Sequence, residues 1–162
     1  MLIKSARHAA AALALVLFAI PAAQAQTTQT ATFAVNAINQ IAFVGAPSMT
    51  ITTAVAGSAP TSVTDALSTW AVTTNQSTAK ITASIASNMP AGLTLSSTLA
   101  APAGATSAGI KALSTVAADM VTGITKLNAS GLGVTYSLDA TSAAGVVSSA
   151  IAIVTYTVTA GI

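Results

Sequence analysis

The chain has 162 residues, of which 53% are hydrophobic and only 5% are charged. Abundant apolar residues with so little charge exclude an intrinsically disordered polypeptide. The chain contains no cysteine, so its fold must be stable without disulfides.

The first 25 residues predict a secretory signal peptide. Lys4 and Arg7 precede the apolar residues 9–20, and Ala23 and Ala25 are the small residues that a signal peptidase requires. The apolar stretch is too short for a membrane span. We therefore expect an exported protein, secreted or at the cell surface with the periplasm as an alternative, in which residues 26–162 form one domain.

Residues 26–162 carry no net charge and few reactive side chains. They contain neither His, Arg nor Glu, and their charged residues are Lys80, Lys111, Lys126, Asp65, Asp119 and Asp139. A nucleic-acid partner is not expected, because it requires a basic surface. Catalytic triads and zinc sites are excluded because their side chains are missing. We predict no catalytic residue and no cofactor.

The three aspartates do not predict a metal site. They stand far apart in the sequence, without the dense acidic spacing of a calcium loop. We interpret them as single solvated carboxylates or turn caps. Asn75 and Asn128 each begin an N-glycosylation pattern, which arises easily in a turn-rich sequence.

Alternation of apolar and polar residues, the period of a β-strand, recurs along the chain. The first such strand is predicted at residues 30–37, with Ala31, Phe33, Val35 and Ala37 on its apolar face. An apolar run follows at residues 41–44. Another alternating strand is predicted at residues 48–53, and it ends at a segment rich in Gly and Pro.

The middle of the chain predicts a hairpin. Residues 69–73 are expected to form a strand with Trp70 and Val72 on opposite faces. A turn at residues 75–77 would return the chain to a strand at residues 80–85, with Ile81, Ala83 and Ile85 inward.

The next segments predict short strands and loops. A strand is expected from Leu93 toward Leu99, and a loop at residues 100–109. Residues 112–121 have some helix propensity, but short strands near residues 112–114 and 120–124 are preferred. A turn is predicted at residues 128–131. The strand after it extends to Ala140.

The clearest strand is the last, within residues 149–160. Val154, Tyr156 and Val158 alternate with threonines, whereas Ile151 and Ile153 stand in the other register. A bulge or burial of both faces would explain this change of phase. Seven to nine short strands separated by turns predict an all-β protein with a single antiparallel β-sandwich, immunoglobulin-like or jelly-roll-like. A closed barrel is the alternative.

Three segments carry a resemblance to known proteins. Residues 30–36, 88–95 and 154–160, together with the Ala-x-Ala leader, resemble small exported bacterial proteins of unassigned role. More distantly, the chain resembles pilin and coat-protein sandwiches, whose subunits donate a strand to a neighbour. This resemblance implies a non-catalytic structural subunit that self-associates into a homopolymer, a filament, pilus or surface coat.

Two alternatives bear on this expectation. The apolar face of Ala31, Phe33, Val35 and Ala37 marks the candidate donor strand, and pairing of the same strand within its own sheet is the nearly equal alternative. The second alternative is a monomeric secreted binding module that uses a threonine or aromatic sheet face, for example the row of Thr155, Thr157 and Thr159, to bind glycan, ice or another surface. Threonine is also a common outer-face residue of sandwiches, which favours a structural role for these rows.

Overall fold

A computed structural model describes residues 25–160; the predicted leader 1–25 therefore lies almost wholly outside the described residues. The chain divides into two units, Met1–Ala34 and Val35–Ile162. In the first unit, the described residues 25–34 form neither helix nor strand.

The described part of the second unit, residues 35–160, forms nine strands, a 3₁₀ turn at Ser142–Ala144 and no α-helix. No helix of this range is long and apolar enough to cross a membrane. The strands are β1 (Asn39–Val44), β2 (Val63–Thr74), β3 (Ala79–Ile85), β4 (Leu93–Leu99), β5 (Thr106–Ser107), β6 (Lys111–Ala112), β7 (Ala118–Ile124), β8 (Leu127–Ala140) and β9 (Val154–Thr159).

These strands form two antiparallel sheets. One has the order β1-β2-β8-β4-β6 and the other the order β5-β7-β3-β9. Apolar side chains from both sheets form one core, which includes Trp70, Ile81, Leu99, Met120, Val121, Ile124 and Val134. The prediction of an all-β, antiparallel sandwich is thus confirmed, and the two separate sheets exclude a closed barrel.

The predicted hairpin of residues 69–73 and 80–85 was wrong. β2 and β3 belong to different sheets, so residues 75–78 carry the chain across the core. Thr78 lies in this connection and has a positive φ of 56°. Strands on opposite sides of a core show the same alternation as paired strands, so the sequence pattern could not separate the two arrangements.

The expectation that Trp70 and Val72 lie on opposite faces was also wrong. Both side chains are buried, with 1% and 2% of their surface exposed. Residues two apart on a strand point to the same face. The Trp70 indole Nε1 donates to the carbonyl oxygen of Ala100 at 3.1 Å, which satisfies its polar group inside the core.

Two predicted strands are absent from the described residues. Residues 30–38 and 48–53 are extended or irregular, and only an isolated bridge between Ala54 and Pro60 lies near the second. Alternation alone does not make a strand, because the backbone groups also need a neighbouring strand to bond. Neither segment has one in the structure.

The predicted turn at residues 128–131 lies inside β8. Asn128 and Ala129 pair with Thr73 and Val72 of β2, and the pairing register shifts before Leu132. Gly131, with a φ of 67°, lies at this irregularity. The glycine and asparagine therefore mark a bulge, which has the same residue preferences as a turn.

The last strand is shorter than predicted, and its phase does not change. Ile151 and Ile153 are 89% and 65% exposed, on the same side as the threonines of β9. Ala152 continues the inward set of Val154, Tyr156 and Val158. The predicted bulge or double burial was wrong, because two isoleucines simply occupy exposed positions.

Candidate assembly interface

The sandwich is open on the side where β1 and β9 form the edges of their sheets. Every second side chain of each strand faces inward but is only half-buried: Ile41 and Phe43 from β1, and Val154, Tyr156 and Val158 from β9. In the interior strand β3, by contrast, Ile81 is completely buried. The inward faces of the two edge strands are therefore incompletely covered.

A groove of about 440 Å³ lies in this opening. It is lined by Ile41, Phe43, Pro47, Tyr136, Val154 and Tyr156, among others. A larger groove of about 890 Å³ shares Pro47, Tyr136 and Val154 with it and extends between the loops at residues 47–54 and 147–152. The lining of both grooves is free of lysine and aspartate.

An aromatic stack joins the two edge strands across the opening. The ring of Phe43 lies 4.0 Å from the ring of Tyr156, measured between centroids, at an interplanar angle of 16°. The other neighbour of Phe43 is Trp70, at 6.1 Å and 15°. The stack positions β1 against β9 without any backbone hydrogen bond between the two strands.

A row of hydroxyl groups lies beneath this stack. The Tyr156 hydroxyl donates to the Tyr136 hydroxyl at 2.9 Å and lies 3.1 Å from Ser97 Oγ. Burial raises the pKa of the Tyr136 phenol well above its usual value. A phenol that stays protonated cannot act as a base near neutral pH, so the row is suited to fixing ring positions.

β9 presents free backbone groups at this opening. The Ile153 carbonyl oxygen accepts from Ala86 N at 3.0 Å, so the backbone groups of Ile153 point toward β3. Successive residues of a strand point their N–H and C=O groups to alternate edges. The N–H and C=O groups of Val154, Tyr156 and Val158 therefore point away from β3, at the edge where no strand is paired.

The four predicted donor residues are not part of any strand. Ala31, Phe33, Val35 and Ala37 are all exposed, and the fractions are 90% for Phe33 and 78% for Val35. Both are large apolar side chains that globular proteins usually bury. The apolar face predicted from the sequence is thus left uncovered.

Asn75 fixes the point at which this segment enters the sandwich. Its Oδ1 accepts from Ile38 N and its Nδ2 donates to the Asn36 carbonyl oxygen, both at 2.8 Å. Asn75 N also donates to the Ile38 carbonyl oxygen at 3.2 Å. The sequence marked Asn75 only as a turn residue and glycosylation candidate; its contacts with residues far away in the chain left no local signal.

The charged residues of the described chain form one ion pair and no larger cluster. Lys80 and Asp119 form an exposed ion pair of 2.9 Å. Asp65 accepts from Leu67 N at 3.1 Å as a turn cap, and Asp139 accepts from Ser62 Oγ. Among residues 25–160 there is no group of three side chains of the metal-binding types.

Sequence reasoning also missed Phe43, Tyr136 and Tyr156 as a group. Tyr136 and Tyr156 lie in predicted strands and Phe43 in a predicted apolar run, but nothing in the sequence relates β1 to β9. Comparisons with protein-family models, with curated proteins and with solved structures found no match.

Proposed function

We propose that this protein is a non-catalytic structural subunit of an extracellular filament, pilus or surface coat, assembled by donation of residues 31–37 to a neighbouring copy. The single observation that carries this proposal is the exposed, alternating apolar face of Phe33 and Val35 in a segment that pairs with no strand. Covering that face in a second subunit would remove apolar surface from water and supply the missing backbone partners.

The composition of the segment supports the proposal. Monomeric sandwiches usually protect exposed strands with charge or proline, and residues 30–38 contain neither. Because the donor and the acceptor are different surfaces, each subunit could give one strand and receive another. Such a head-to-tail contact need not close into a ring, so it extends into a polymer.

The direct test is negative-stain microscopy of the purified protein, with three forms of the chain compared. We expect filaments or sheets from the unsubstituted protein and none from the double variant Phe33→Asp and Val35→Asp, which charges the apolar face. The matched control is Thr32→Asp with Ala34→Asp, which places the same charges on the opposite face. Equal assembly of all three forms would contradict strand donation.

We propose further that the chain is exported and begins at Gln26 after cleavage. The basic and apolar start of the sequence and the Ala-x-Ala pattern before Gln26 support this. Intact-mass measurement of material recovered from outside the cytoplasm should give the mass of residues 26–162. A product that retains residues 1–25 would argue against it.

The alternative, a monomeric surface-binding module, has one supporting observation. Thr155 and Thr157 of β9 are exposed and pair with Ser84 and Thr82 of β3, so hydroxyl groups cover two adjacent strands of one sheet. If the protein stays monomeric at high concentration, binding to glycans or ice should be measured, with Thr157→Lys as the disrupting variant.

A further inference from the structure

We propose that the acceptor for the donated segment is the free edge of β9, where it faces β1 across the groove. The occupant would be residues 31–37 of a second copy of this chain. This inference rests on the proposed function and adds to it the strand that receives the donor.

One edge of β9 carries backbone groups that pair with no strand. Its outward N–H and C=O groups belong to Val154, Tyr156 and Val158, whose side chains also line the open side of the sandwich. An added strand would therefore bond to these groups while its own inward side chains meet the same apolar surface. Six residues of β9 are available to the seven residues of the donor, so the lengths correspond.

The side chains of donor and acceptor are complementary. On the apolar face of the donor, the large Phe33 and Val35 stand between the small Ala31 and Ala37. The groove of about 440 Å³ lies at the uncovered side of Val154 and Tyr156, and its lining has no ionic group. The two large donor side chains would enter this opening and the two alanines would lie at its ends.

The other sheet edges fit less well. β5 and β6 have two residues each, too few to hold a seven-residue strand. β1 is as long as β9, but Asn39 at its start already uses its side chain to accept from Thr74 Oγ1 at 2.7 Å. The chain also enters β1 directly from its own donor segment, held by Asn75. An incoming strand at β1 would meet that departing segment.

Amide hydrogen exchange can locate the acceptor strand. The protein used is the full exported chain carrying Phe33→Asp and Val35→Asp, which keeps the acceptor but cannot donate. A synthetic peptide of residues 30–38 is added, and the same peptide with both aspartates serves as the control. We expect exchange at the amides of Val154, Tyr156 and Val158 to slow by about tenfold or more with the first peptide only.

The alternation along β9 makes this result specific. The amides of Thr155 and Thr157 already face β3, so their exchange should change much less. Slowing at Asn39, Ile41 and Phe43 instead would move the acceptor to β1 and overturn the proposal. If exchange at β9 does not slow at a saturating concentration of the peptide, the proposal is also overturned.

The unsubstituted protein is examined by microscopy in parallel, which separates the two proposals. Filaments that depend on Phe33 and Val35, without protection of β9 by the peptide, would leave the structural function standing and refute the acceptor assignment. Absence of any assembly would refute the proposed function itself.

Discussion

At the scale of single residues, the core of this sandwich depends on one large aromatic side chain. Trp70 is almost completely buried, contacts Phe43 and donates its indole N–H to Ala100. No disulfide exists to compensate for its loss. The residue links the center of the fold to the aromatic stack at the opening.

Trp70→Ala should lower the free energy of unfolding by about 3 kcal/mol or more, because it removes a buried ring and leaves a cavity. Trp70→Phe is the matched control and should cost less, since most of the ring volume is kept. Urea unfolding followed by circular dichroism measures both. A cost near zero for the alanine variant would contradict the buried position of the ring.

The raised pKa of Tyr136 predicts that the folded protein loses stability in alkali. Its pKa is raised above that of the unfolded chain, so the folded state holds the phenol proton more tightly. The contribution of this shift to the free energy of unfolding is fully present below the pKa of about 10 that tyrosine has in the unfolded chain, and it is lost as the pH rises further. Tyr136→Phe should cost about 1 kcal/mol at neutral pH and show a shallower alkaline decline.

The measurement is the urea midpoint of both proteins from neutral pH to above the ordinary tyrosine pKa. The other ionisable groups are common to both chains, so the difference between the two curves reports Tyr136 together with its hydrogen bond to Tyr156. Parallel curves would contradict the assignment of the alkaline loss of stability to Tyr136.

At the scale of elements, the sequence predicted the type of most strands but not their partners. Ile81, Ala83 and Ile85 were correctly expected to point inward, because alternation reports burial of one face. The same alternation at residues 30–37 predicted a strand where the structure has none. Pairing depends on long-range neighbours, which a local pattern does not contain.

The candidate site shows the same limit. The proposed donor residues were visible in the sequence as an uncharged apolar face. The groove beside the proposed acceptor was not visible, because Phe43 and Tyr156, which line it, come from strands far apart in the sequence. Only the fold brings them together.

Asn75 is predicted to restrain the start of β1. Asn75→Ala removes the two side-chain bonds to Asn36 and Ile38, so the Ile38 amide should exchange its hydrogen faster. Asn128→Ala, at an exposed position of β8, is the control and should leave Ile38 unchanged. Hydrogen exchange followed by NMR measures the effect. Identical exchange at Ile38 in both variants would contradict the restraint.

At the scale of the whole molecule, assembly should depend little on salt. Residues 26–162 carry three lysines and three aspartates, and none of them lines the groove. Ionic screening weakens charge-driven contacts but leaves apolar burial and backbone pairing largely intact. Sedimentation of the unsubstituted protein at low and high sodium chloride should give similar assembled fractions. Dissolution of the assemblies by salt would indicate an electrostatic contact instead.

The joining of β1 and β9 across the opening also bears on the rate of folding. Phe43 and Tyr156 are far apart in the sequence, so their stack is a long-range contact. Folds dominated by such distant contacts have a high contact order and fold slowly, in roughly milliseconds to seconds. During synthesis, residues 31–37 emerge early and β9, the last strand of the described residues, emerges late. In the proposed mechanism, a chain whose β9 is not yet in place would present a donor without an acceptor, and it could not receive a further subunit.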